Sequence, residues 1–233
     1  MGEDFWQLID YLHSRKVDIS SDKPHQTDNL VMLQMTYVFI NPVTDRMTSP
    51  EILEQKLCSR NMHRVYCREN WSERVLEEYS KVLMTTDRTV LDMRCPMAVD
   101  FVRTLKLEAV REAPVLPILL HCAEELSQRE DLQNGQILIT TPCRALEEQG
   151  NMLALARTTF ITAKKFLADI GYNSATPIMR SPIPPGFFDP LSVNVVSATG
   201  EKEIAKEAVN LSKGIRLFEM LFCLGGCHNG DGI

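Results

Sequence analysis

Three apolar segments of this chain each run into a turn that carries a cysteine, and this repeated pattern constrains the fold more than any other feature. The turns hold Cys95, Cys143 and Cys223. After the first two cysteines an amphipathic stretch follows, so the local order is strand, cysteine turn, helix. Strands that alternate with helices predict an α/β architecture with mostly parallel sheets.

The cysteines of these turns are expected to converge, because ligands gather at the carboxyl ends of strands in α/β folds. Cys227 follows Cys223 closely and adds a fourth thiol, with two glycines between them that let the backbone bend. Four thiolates are the usual ligands of a [4Fe–4S] cluster or a structural zinc ion. Zinc ligands usually come in close pairs such as CxxC. Here three of the four lie far apart in the sequence, which favours a larger cluster held between two lobes.

Composition limits the remaining possibilities. The chain has 233 residues, seven cysteines and a net charge of −6. This charge argues against nucleic acid as the main partner, and the apolar runs are too short to span a membrane. The odd cysteine count and the lack of a signal-like start favour a cytoplasmic protein with reduced thiols. Cys58, Cys67 and Cys122 are predicted not to be metal ligands, since free cysteines are commonly buried in cores.

Other segments carry weaker structural signals. Residues 4–16 have the spacing of an amphipathic helix. Ser49 before Pro50 and Asn70 before Glu73 are typical of helix N-termini, and NPVTDRMTSPE reads as a turn before the first of these helices. The stretch TFITAKKFLADIGY predicts a helix with Thr162 as its N-cap, and a last helix is expected over about residues 201–213.

The order of these motifs resembles the cluster-binding domain of [FeFe]-hydrogenases. The segments DMRCPMAVDFVRTLK, TTPCRALEEQG and LFCLGGCHNGDG look like the three cysteine motifs of that family, and PPGFFDPLS resembles its acidic loop. The resemblance covers about residues 88–233 and leaves 1–87 as a mostly helical region without an assigned role. It implies an α/β fold of two lobes, with small mostly parallel sheets flanked by helices and an iron–sulfur cluster between them.

The resemblance also implies which residues bind the cluster. The four ligands of the family's [4Fe–4S] cluster fall on Cys95, Cys143, Cys223 and Cys227, and the last ligand also bridges to a catalytic two-iron unit.

The departures from the family lie on the side of that two-iron unit. Arg94 stands where the family has a proton-relaying cysteine, Leu146 where it has a cyanide-binding lysine, and Gln149 where it has a glutamate. Two methionines of the family pattern are Thr141 and Leu221 here. A cyanide-bearing unit needs fixed donors and a proton path, so these replacements argue against a diiron subcluster.

The sequence thus predicts a hydrogenase-like iron–sulfur protein with one [4Fe–4S] cluster, used for electron transfer or redox sensing under anaerobic conditions. Its redox partner would be a ferredoxin or another iron–sulfur protein, with Lys164 and Lys165 as a docking spot or a plain solvated surface. One alternative is a divergent hydrogenase-type enzyme in which a further metal unit is bridged by Cys227 and Arg94 or His228 takes over polar roles. Another alternative is a cluster-free interaction domain. No catalytic residue is assigned.

Overall fold

The computed structural model describes residues 35–211 and 214–233. The helix predicted over residues 4–16 lies outside these ranges. The strands in this part are β1 (Met35–Phe39), β2 (Met62–Arg64), β3 (Thr89–Leu91), β4 (Val110–Glu112), β5 (Gly135–Thr141), β6 (Thr158–Thr162), β7 (Val195–Thr199) and β8 (Leu217–Leu221). The α-helices there are α1 (Pro42–Met47), α2 (Pro50–Cys58), α3 (Trp71–Met84), α4 (Pro96–Thr104), α5 (Ile118–Gln128), α6 (Arg144–Met152), α7 (Ala163–Asp169) and α8 (Glu201–Val209). Short 3-10 turns cover Glu130–Leu132, Asp189–Leu191 and Cys227–Asn229.

The strands form two four-stranded sheets in which every pairing is parallel. The first sheet has the order β2-β1-β5-β6 and the second has the order β4-β3-β8-β7. The predicted α/β fold with two small parallel sheets flanked by helices is therefore confirmed. Strands β1 and β2 precede residue 88 and share a sheet with β5 and β6, which follow it. The domain boundary at residues 87 and 88 stays a prediction.

Helices cover both faces of the first sheet. On one face, α2 and α7 pack against β1 and β6 through a buried cluster that includes Leu53 and Phe166. On the other face, α5 packs against β5 through Leu120 and Leu126. Burial on both faces explains why β5 reads as an almost continuous apolar run and not as an alternating one.

The second sheet is enclosed in the same way. Helices α4 and α8 bury Val102 and Ile204 against one face, and α3 buries Val75 and Tyr79 against the other. Among the described residues, no helix is both long enough and apolar enough to cross a bilayer.

The predicted helix starts are confirmed. Ser49 and Thr162 are the N-cap residues of α2 and α7, and the side chain of Asn70 accepts a hydrogen bond from the Glu73 N–H at the start of α3.

Three local predictions need correction. Helix α8 ends at Val209, short of the predicted residue 213. The segment predicted as a turn contains α1, which Asn41 caps by accepting hydrogen bonds from Val43 and Thr44. Strand β6 was not predicted, because Thr162 both ends this strand and caps the next helix, which leaves no turn residues between them.

Candidate metal centre

Three of the four predicted ligands lie at the carboxyl ends of parallel strands. Cys95 and Cys143 follow β3 and β5 and are the N-cap residues of α4 and α6. Cys223 follows β8, which is the neighbour of β3 in the second sheet, whereas β5 lies inside the first sheet. The cysteines therefore approach one another from two different sheets.

All four predicted ligands line one cavity. Cys95, Cys143, Cys223 and Cys227 border a narrow space of about 20 Å³. Apolar side chains make up much of the remaining wall. In the part of the chain that the structure describes, no group of three or more His, Cys, Asp or Glu side chains is arranged to hold a single metal ion. The four cysteines lie around one cavity, and this shows only where they are. Their role as metal ligands stays a prediction.

The electrostatics of these thiols follow from their burial and their proximity. Burial, with Cys95 nearby, raises the pKa of Cys143 to about 12, and burial raises that of Cys223 to about 11. The pKa of Cys227 is also raised, by burial first and then by the other three thiols, although Arg94 opposes the shift. Four thiolates would repel one another here, so they can coexist only if positive charge lies between them. This donor set fits a metal cluster that displaces the thiol protons.

The backbone around the cavity favours negative charge. The Phe222 N–H donates a hydrogen bond to the Cys95 sulfur at 3.4 Å. Burial raises the pKa of Cys95, and the N–H groups of Phe222 and Ala98 oppose that shift. Because Cys95 and Cys143 cap helices, the positive ends of two helix dipoles also face the thiols.

The last residues of the chain pack against the turn that carries Cys143. The Gly232 N–H donates to the Pro142 carbonyl at 3.2 Å, and the Lys164 N–H donates to the Gly232 carbonyl at 2.8 Å. A side chain at Gly230 would collide with the Pro142 carbonyl. Gly226 has a φ of 119°, and a Cβ there would lie 2.6 Å from the Ser181 Cβ. These glycines let the segment between Cys223 and the terminus fold closely over the first sheet.

Asp231 joins the C-terminal segment to helix α6. Its Oδ1 accepts a hydrogen bond from the Arg144 N–H at 3.0 Å, at the first position of that helix. A carboxylate at a helix N-terminus satisfies a backbone donor and interacts favourably with the helix dipole. This contact was not predicted, because the two residues are far apart in the chain.

Replacement of Asp231 by alanine is expected to lower the free energy of unfolding by about 1 kcal/mol, since an N-terminal donor of α6 loses its partner. Asp87→Ala is the matched control, because Asp87 is exposed and makes only a 3.5 Å ion pair with Arg216. That control should change the free energy by less than about 0.5 kcal/mol. Urea denaturation followed by circular dichroism measures both. Equal effects of the two substitutions would contradict the capping role.

A buried ionic network lies beside the cavity. Arg94 donates from Nε to Asp92 at 2.9 Å and from Nη2 to Asp92 at 2.8 Å and Glu219 at 2.7 Å. The Arg94 side chain is 6% exposed and its two partners are 0% and 1% exposed. Burial by itself would lower the pKa of Arg94, but the charge of Asp92 and then that of Glu219 outweigh it, so the pKa is raised. Arg94 is therefore a permanent cation.

The loop before β7 is attached to this network. Glu219 accepts hydrogen bonds from the Gly186 and Phe187 N–H groups and from the Ser197 hydroxyl. The guanidinium of Arg94 lies 4.0 Å from the ring centre of Phe187 and 4.7 Å from that of Phe188. The role of Glu219 was not predicted, although a charged residue inside the apolar run RLFEMLF was a signal for a buried partner.

The remaining cysteines lie elsewhere. Cys58 is exposed, whereas Cys122 is buried and Cys67 is half-buried. A hydrogen bond with Cys67 and then burial raise the pKa of Cys122, so these two thiols are neighbours. None of the three borders the cavity of the four converging cysteines. His228, proposed for polar roles, does not line that cavity, and its Nδ1 has no hydrogen-bond partner within the described residues.

Comparison with solved structures identifies the fold. Two glutamate variants of the [FeFe]-hydrogenase HydA1 from Chlamydomonas reinhardtii align with TM-scores of 0.52 and 0.51, each 12% identical over 89% of this chain and 81% of theirs. A further [FeFe]-hydrogenase, studied for oxygen inactivation through its 2Fe subcluster, aligns with a TM-score of 0.50 and 13% identity over 98% of this chain and 84% of that one. No family model and no curated protein sequence matches. The chain thus has the fold of [FeFe]-hydrogenases, as its motifs predicted, with a strongly diverged sequence.

Proposed function

We propose that this chain is a hydrogenase-like iron–sulfur protein that binds one [4Fe–4S] cluster through Cys95, Cys143, Cys223 and Cys227. The observation that carries the proposal is that these four side chains come from both sheets to border a single cavity. Cubane clusters are held by four cysteine thiolates, and they need ligands that surround a volume instead of a point. The hydrogenase fold supports iron–sulfur chemistry in general.

The chain's own residues suit this cluster. Two ligands cap helices, and a backbone N–H lies within hydrogen-bond distance of the Cys95 sulfur, so the negative charge of cluster and thiolates is partly compensated. Pro96, Pro142 and Leu146 form an apolar wall that limits the access of water. When bound, the cluster would supply one-electron transfer at a potential set by this charge and exclusion of water.

The surroundings of Cys227 favour electron transfer or redox sensing over hydrogen turnover. Leu146 and Arg94 border the same cavity as Cys227, so an aliphatic chain and a permanent cation occupy the positions of a cyanide donor and a proton relay. Arg94 cannot release a proton near neutral pH and is already bound to two carboxylates. Gln149, at the position of the family's glutamate, has a buried Oε1 without a partner in the described part of the chain. These features do not favour the alternative of an enzyme with a further metal unit on Cys227.

The proposal includes a redox partner, which we infer to be a ferredoxin or another iron–sulfur protein in the cytoplasm. Lys164 and Lys165 are exposed at the start of α7, and the Lys164 N–H is bonded to the C-terminal segment. A basic spot so close to the candidate cluster suits a docking site for an acidic partner.

Alanine substitution of single cysteines tests the ligand set. Alanine at Cys95, Cys143, Cys223 or Cys227 is expected to lower the iron bound after anaerobic purification to a small fraction of that in the parent chain, because no other donor replaces the lost thiolate. Cys58→Ala is the matched control, since Cys58 is exposed and outside the cavity. It should retain all the iron. Full iron in Cys143→Ala together with an empty Cys58→Ala variant would refute the assignment.

A further inference from the structure

A second and larger cavity adjoins the candidate cluster site. Its volume is about 520 Å³, and Arg94, Leu146 and Cys227 border both cavities. Its wall is mainly apolar and comes from both sheets, with Phe39 at the end of β1 and Leu221 at the end of β8. This volume lies in the range of small-molecule sites, which are commonly apolar with a few well-placed polar groups.

Aromatic rings held in fixed positions form part of this wall. Trp71 donates from Nε1 to Glu125 at 2.7 Å and stacks on His121, with ring centres 5.0 Å apart and planes 7° from parallel. Phe187 packs edge-on against a second phenylalanine and lies over the Arg94 guanidinium. Because these contacts fix both rings, the cavity is preformed, and flat rings in its wall favour a planar occupant.

Arg94 supplies a hydrogen-bond donor that the ionic network does not use. Its Nε and Nη2 atoms are bound by Asp92 and Glu219, whereas Nη1 has no partner among the described residues. Arg94 lines this cavity, so Nη1 is the donor of the guanidinium that an occupant could use. A guanidinium N–H beside an apolar cavity favours an occupant with a hydrogen-bond acceptor.

The local charge determines which acceptor is suitable. One arginine is surrounded by the carboxylates of Asp92 and Glu219, so the network carries a net negative charge. Glu69, also in the cavity wall, is paired with Arg74 at 2.8 Å. An anionic occupant would be repelled, whereas a neutral carbonyl oxygen can accept the hydrogen bond without adding charge.

We propose that this cavity binds a small, neutral, largely apolar and planar molecule, whose carbonyl-type oxygen accepts a hydrogen bond from Nη1 of Arg94. The proposal goes beyond the proposed function and does not require the cluster. It assigns the chain a ligand site next to Cys227 that takes an organic molecule.

The probe for this site is 2-acetylnaphthalene, a neutral planar ketone, tested by equilibrium dialysis against the full-length protein as purified anaerobically. Two probes of similar shape serve as controls. 2-Ethylnaphthalene lacks the acceptor, and 2-naphthoate is anionic. The ketone should bind about tenfold more tightly than either, because a hydrogen bond to a charged donor is lost in the first and repulsion opposes the second. 2-Ethylnaphthalene is the most apolar of the three probes. Binding driven by apolar contact alone would therefore favour it over the ketone.

A variant that fills the cavity locates the binding. Ile183→Trp adds a large side chain to the loop that lines the cavity, and Ile52→Trp makes the same change at an exposed position of α2. Binding of the ketone should fall at least about tenfold in the first variant and stay unchanged in the second. Iron content, measured on the same samples, reports separately on the cluster. Absence of ketone binding, equal binding of the three probes, or full binding in Ile183→Trp would overturn the proposal.

Discussion

Replacement of Arg94 by methionine is expected to lower the free energy of unfolding by about 3–5 kcal/mol, because it leaves two carboxylates buried without a countercharge. Asp92 and Glu219 are 0% and 1% exposed and cannot turn to solvent. The loss includes the contacts of the guanidinium with two phenylalanine rings. Thermal unfolding followed by circular dichroism should show a midpoint lower by roughly 6–20 °C.

Arg103→Met provides the matched control for this prediction. Arg103 also binds two carboxylates, Glu112 and Asp100, but its side chain is 51% exposed. Exposed pairs of this kind contribute about 0–1 kcal/mol, so the control should hardly change the midpoint. Adding Asp92→Asn and Glu219→Gln to Arg94→Met removes the unpaired charges and should restore much of the lost stability. Similar losses in the two single variants, or no recovery in the triple variant, would contradict this account of the network.

Removal of the cluster is expected to release the C-terminal segment and to lower the thermal midpoint. Cys223 and Cys227 would tie this segment to ligands from both sheets. Without metal, the segment is held by noncovalent contacts, among them the bonds of Asp231 and Gly232 to the turn around Cys143 and of Gly225 to Thr199. Metal binding is coupled to folding when the ligands come from distant segments.

Hydrogen exchange measures this release directly. After chelation under anaerobic conditions, amides in residues 222–233 should exchange at least about tenfold faster than in the loaded protein. Helix α2 is the internal control, since it packs on the face of the first sheet opposite to α5 and contributes no predicted ligand. Equal exchange of the C-terminal segment with and without iron would mean that the cluster does not hold it in place.

The sequence was sufficient for features that depend on neighbouring residues. The strand, cysteine turn and helix pattern predicted β3, β5 and the helices that Cys95 and Cys143 cap. Helix starts at Ser49, Asn70 and Thr162 followed from capping preferences, which involve contacts within one turn. The positions of Cys95, Cys143 and Cys223 after strands followed from the rule that ligands gather at the carboxyl ends of parallel strands.

Features that depend on distant partners were not predictable in the same way. The ion pair of Arg94 with Glu219 was not predicted, because Glu219 lies 125 positions away on another strand. The hydrogen bond that Asp231 accepts from the Arg144 N–H was not predicted for the same reason. Strand β6 was not predicted because it continues into α7 without a break. The helical pattern of α7 was therefore extended back over the strand. Short edge strands such as β4 carry too few apolar residues to give a pattern.

The most direct test of the central claim is the metal content of the protein purified without exposure to air. The account predicts about four irons and four inorganic sulfides per chain, with the charge-transfer absorption of a cubane. It also predicts no infrared bands from carbon monoxide or cyanide, because Arg94 and Leu146 replace the groups that would serve a diiron unit. One zinc ion per chain, or a colourless protein without metal after anaerobic reconstitution, would contradict the account. Carbon monoxide and cyanide bands that disappear in Cys227→Ala would instead establish the divergent enzyme.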